Sequence, residues 1–90
     1  MIHSKILDAV LLPLADLYEA NKGNGWISLK EEFADEYEQF CQTMAALSAE
    51  CSIIVSPQGE YRLTSEGYAR YSERIKALRG STVEYRPFYL

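Results

Sequence analysis

The sequence predicts a mainly α domain carrying one small β-hairpin, and three observations lead there. Apolar residues between Ile6 and Tyr18 recur at three- and four-residue steps, the spacing of one helix face. Between Leu29 and Cys51 there is neither glycine nor proline to interrupt a helix. Two β-prone runs, Ile53-Ile54-Val55 and Tyr61-Arg62-Leu63, then flank a turn that contains Pro57 and Gly59. With 90 residues, 48% of them hydrophobic, the chain is one domain rather than a disordered segment. It is too small for a second domain or a large catalytic cleft.

The first helix is expected from Ser4 to Asn21, with Ile6, Val10, Leu14 and Leu17 as its stripe and Leu7, Leu11 and Tyr18 widening it. Pro13 removes one hydrogen bond inside it, which predicts a kink or a restart. Asn21-Lys22-Gly23-Asn24-Gly25 ends the helix, its two glycines free to take positive φ. Trp26-Ile27-Ser28-Leu29 is a brief strand or extended entry. Ser28 with Glu31 three residues on reads as a capping box, opening a helix that turns Leu29, Phe33 and Tyr37 inward. A second stripe of Phe40, Met44, Leu47 and Cys51 suits a helix over residues 38–50. The local pattern leaves open whether a turn at residues 35–37 separates the two. Beyond the hairpin, Thr64 is the expected N-cap of a last helix, and Glu66 faces its positive end. That helix carries Tyr68, Tyr71, Ile75 and Leu78 on one side, has Arg70, Arg74, Lys76 and Arg79 near its end, and stops at Gly80. Trp26, Tyr68 and Tyr71 are expected in the core. Residues 1–80 form the domain, and residues 81–90 an aromatic tail.

Nine Lys and Arg against thirteen Asp and Glu give a net charge of −4, which disfavours a globally basic nucleic-acid binder. The charge is uneven: residues 1–60 sum to −7 and residues 61–90 to +3. On one helix Cys41 and Cys51 would sit about 15 Å apart, too far for a disulfide, so buried free thiols in a reducing cytoplasm are expected. The apolar stretch from Ile6 to Leu17 is interrupted by Asp8 and Asp16 and is too short to span a bilayer, so no membrane partner is expected. The single histidine, His3, lies near a terminus expected to fray, and Gly23-Asn24-Gly25 lacks the rest of a phosphate-binding loop. No enzyme, cofactor or metal site is expected.

The order of elements is helix, short strand, helix, helix, hairpin, helix. Together with Ile53-Ile54, the turn at Gly59 and Tyr61-Arg62-Leu63-Thr64-Ser65-Glu66-Gly67, it resembles a winged helix-turn-helix domain of the transcriptional-regulator type. The resemblance covers residues 4–79 and is sharpest at the wing and its Tyr-x-Leu-Thr-x-x-Gly junction. It implies a helix-turn-helix corner at residues 35–38 and puts residues 38–50 in the recognition-helix position.

The sequence departs from that pattern in its charge. Duplex binding needs Lys or Arg at phosphates, yet from Glu31 to Glu60 there are seven carboxylates and no Lys or Arg. The outward face of the presumed recognition helix reads Gln39, Gln42, Thr43, Ala46 and Glu50, with Glu38 at its start. Each close like-charge contact costs about 1 kcal/mol at surface dielectric. The expected function is a non-enzymatic regulatory or adaptor module. Its Glu31, Glu32, Asp35, Glu36, Glu38, Gln39, Gln42 and Thr43 would meet a basic protein, and Tyr85, Phe88, Tyr89 and Leu90 would make a homodimer or docking site. The alternative is a direct DNA-binding regulator using Gln39, Gln42, Thr43, Arg62, Arg70 and Arg74, although DNA is disfavoured at the acidic helix. Against both stands the plainer reading: a solvated acidic face, and arginines engaged in ion pairs.

Overall fold

Helix α1 spans Ser4–Asn21 and buries Ile6, Leu7, Val10, Leu11, Leu14 and Ala15 along one face, in a computed structural model that describes residues 2–83. The tail positions Tyr85, Phe88, Tyr89 and Leu90 lie outside the described residues. Pro13 does not make the helix restart. The carbonyl deprived of its partner belongs to Ala9, which is exposed, so water can take that bond. The helix closes in a left-handed turn, with Lys22 at φ 55° and the Gly23 N–H donating to the Tyr18 carbonyl at 2.9 Å. Gly23 and Gly25 take positive φ as the sequence requires, but the first left-handed residue is Lys22.

The extended segment after Gly25 makes one antiparallel bridge, in which Ile27 and Tyr61 exchange N–H···O bonds of 2.9 and 2.8 Å. Ile27 is half-buried and packs on the core, whereas Trp26 beside it is exposed, not in the core as expected. The alternation of an extended chain accounts for the difference. Ser28 Oγ donates to the Glu31 carboxylate at 3.1 Å, but the N-cap of the following helix is Leu29, which offers no side-chain cap, so the capping box is not formed.

That helix is a 3₁₀ helix over Lys30–Glu36, interrupted at Phe33 (φ −120°, ψ 29°), and helix α2 follows at Tyr37–Ala49. The change of helix type separates the two stripes that the sequence left joined. Leu29 and Phe33 are buried, but Tyr37 is 49% exposed, because a three-residue period shifts the phase that carried it inward in an α-helix. Phe40, Met44 and Leu47 fill the core from α2. Cys51 lies past the helix end at φ 64°, and the Ser52 N–H closes the turn on the Leu47 carbonyl. Cys41 and Cys51 are both free and exposed, which corrects the expectation of buried thiols.

Strands β1 (Ile53–Val55) and β2 (Tyr61–Leu63) pair antiparallel, with Ile53 opposite Leu63 and Ile54 opposite Arg62. Ile53 and Leu63 point into the core. Ser56 pins the turn: its Oγ accepts from the Gln58 and Glu60 N–H groups at 3.2 and 3.0 Å. Two helices, α3 (Ser65–Arg70) and α4 (Ser72–Val83), replace the single last helix, with the break at Tyr71 (φ −105°, ψ 14°). Helix α4 also runs past Gly80 rather than stopping there. Thr64 caps α3 as expected, its Oγ1 accepting from the Gly67 N–H at 2.9 Å. Ile75 enters the core from α4, with Tyr68, Tyr71 and Leu78 packed against it. Among the described residues no helix is long and apolar enough to cross a membrane.

Candidate protein-contact surface

Between residues 30 and 39 only Phe33 turns inward, and it stacks on Phe40 with ring centroids 5.0 Å apart. That single anchor leaves Glu31, Glu32, Asp35, Glu36, Glu38 and Gln39 exposed on one continuous segment. The Glu31 carboxyl is held below its ordinary value, first by its own backbone N–H and then by the Ser28 hydroxyl. Tyr37 stands among these carboxylates, its ring 6.5 Å from that of Phe40. The Cys41 thiol one turn on pushes its phenol pKa up.

The arginines are engaged elsewhere. Arg74 Nε meets Asp8 Oδ1 at 2.5 Å, while Arg79 bridges Asp16 at 2.6 Å and Glu19 at 2.9 Å, so α4 neutralises the acidic side of α1. Asp8 raises the Arg74 pKa, and Glu19 followed by Asp16 raises that of Arg79. Glu19 is held low by Arg79 and by the Tyr68 hydroxyl, which donates to it at 2.5 Å. Arg70 Nη1 donates to the Glu50 carbonyl at 2.9 Å and to Ser52 Oγ at 2.6 Å. Among the described residues no ion pair reaches Glu31, Glu32, Asp35, Glu36 or Glu38.

The presumed recognition face is only partly available. Thr43 is fully buried and its Oγ1 accepts from the His3 backbone N–H at 3.0 Å, so it does not lie on the outward face. Gln42 is exposed, but its Oε1 is 2.7 Å from His3 Nε2. These two contacts hold His3 in place, where the sequence had it fraying. Glu50 also faces the protein: its carboxylate accepts from Ser52 Oγ at 2.7 Å and from the Tyr71 hydroxyl. Burial pushes the Glu50 carboxyl up, but the Tyr71 and Ser52 hydrogen bonds and the Arg70 charge outweigh it and hold the pKa below its ordinary value. Of the residues expected to serve DNA, Arg70 and Arg74 are thus tied to Glu50, Ser52 and Asp8, and the Arg62 guanidinium lies 4.4 Å over the Trp26 ring.

A groove of about 340 Å³ opens beside that stacked pair. Tyr18, Lys22 and Gly23 from the end of α1, Ile54 and Arg62 from the hairpin, and Ser65 at the start of α3 form its walls. Two cations and no carboxylate line it. Tyr37, Trp26 and this groove escaped the sequence reading. Tyr37 and Trp26 sit at spacings that read as core, and the groove joins residues of α1, the hairpin and α3 that are distant in the chain. Among the described residues no three His, Cys, Asp or Glu side chains gather as a metal-binding group. No protein-family model, curated protein or solved structure matches this chain.

Proposed function

We propose that this chain is a winged-helix adaptor that binds a basic protein through the acidic segment at residues 31–38. The fold part of this reading is supported by the helix order, the hairpin and the Ile27 bridge that adds a third extended segment to it. The single observation that carries the functional part is the selective neutralisation of carboxylates. Asp8, Asp16, Glu19 and Glu50 all have arginine partners, whereas among the described residues Glu32, Asp35, Glu36 and Glu38 stand close together in the chain, exposed and without an ion pair. A face of that charge repels phosphates and steers a cationic partner in.

Reversing Glu32, Asp35 and Glu36 to lysine is expected to abolish capture of basic proteins in a pull-down while leaving the circular dichroism spectrum unchanged. A gel-shift series at low salt is expected to show no retardation of duplex DNA by the wild type. Capture that survives the triple reversal, or a salt-sensitive shift of duplex, would contradict the proposal.

A further inference from the structure

We infer that the groove between the end of α1 and the outer face of the hairpin takes Tyr37 and its flanking carboxylates from a second copy of this chain. The inference rests on the reading of residues 31–38 as a contact surface and names one occupant for it. Tyr37 is a large side chain, 49% exposed, braced by Phe40 and flanked by the carboxylates of Glu36 and Glu38, which have no ion-pair partner among the described residues. The groove is its complement in each respect. It has a cavity of about 340 Å³, apolar walls in Ile54 and Tyr18, and the cations Lys22 and Arg62. Lys22 has no ion-pair partner among the described residues, and Arg62 is fixed in place by lying over Trp26. An aromatic ring between two carboxylates fits an apolar slot between two cations: the ring gains burial, and the charges pair at the rim.

The test uses the whole chain and two complementary double variants, Lys22→Glu with Arg62→Glu and Glu36→Lys with Glu38→Lys. Molar mass is followed by light scattering as concentration rises. The wild type is expected to associate at about 0.01 M salt, where the Debye length is about 30 Å, and to dissociate at about 1 M, where it is about 3 Å. Each double variant alone is expected to associate at least about tenfold more weakly, because like charges then face each other. Mixing the two restores opposite charges and is expected to restore association. Thermal melts verify that both variants fold. The single variant Lys22→Glu, which leaves the Arg62–Trp26 stack intact, is expected to weaken association in the same direction. A wild type that stays monomeric at low salt, or a mixture that associates no better than its components, overturns the inference. Either result leaves capture of a basic protein to be decided by the triple reversal, so the two readings fail separately.

Discussion

A Cβ added to Gly67 would lie 2.1 Å from the Ser52 carbonyl oxygen, closer than any side chain tolerates. The approach is this close because Thr64 bonds in both directions at once. Its N–H donates to the Ser52 carbonyl at 2.9 Å and its hydroxyl donates to the Cys51 carbonyl at 2.7 Å, while Oγ1 accepts from Gly67. The start of α3 is thereby clamped onto the entry to β1. Gly67→Ala is therefore expected to destabilise the domain by about 3 kcal/mol, as overpacking against rigid backbone does, lowering the midpoint of a urea melt. An unchanged midpoint would mean that the two elements separate freely. Thr64 was legible in the sequence as a cap, since a hydroxyl before a helix has one common local use. The glycine carried meaning there only through a resemblance, because the Ser52 backbone it makes room for is far away in the chain. Trp26 and Tyr37 were misplaced for a related reason: spacing gives a phase, and a single 3₁₀ turn or bridge shifts it.

At the level of elements, the network of Glu50, Ser52, Arg70 and Tyr71 ties the end of α2 to the break between α3 and α4. Burial, followed by the hydrogen bond to Glu50, pushes the Tyr71 pKa up to about 12, while Glu50 is held below the ordinary glutamate range. A phenol whose pKa is raised on folding contributes stability that is complete below about pH 10 and is lost as pH rises through about 12. A carboxyl whose pKa is lowered contributes stability that is present above about pH 4.3 and is lost as pH falls through its folded value. Thermal melts across this range are expected to show both losses. Tyr71→Phe should shrink the alkaline one, the raised Tyr37, Tyr61 and Tyr68 phenols supplying the remainder, and lower stability at neutral pH by about 1 kcal/mol. An alkaline limb undiminished in the variant would place its origin outside Tyr71. The number and order of the elements were readable because the apolar periods are local. Splitting the last helix at Tyr71 was not, since no glycine or proline marks the break and the Glu50 carboxylate that Tyr71 bonds is distant in the chain.

The whole molecule sorts its charge by packing α4 on α1. Arg74 and Arg79 satisfy Asp8, Asp16 and Glu19, and each of these pairs is solvent-accessible, so their main consequence is for the distribution of charge rather than for stability. The excess of acid early in the chain and of base late in it was plain in the sequence. Which carboxylates end up neutralised depended on the tertiary arrangement, and among the described residues the cluster left without an ion pair is at residues 31–38, with Glu60 and Glu66 as isolated additions. If this segment is where a cationic chain lands, titrating the labelled protein with an arginine-rich peptide at low salt will show it in the amide NMR shifts. Shifts are expected to concentrate at residues 31–38, with Asp8, Asp16 and Glu19 undisturbed. Shifts centred on α1 instead, or spread evenly over every acidic residue, would contradict it.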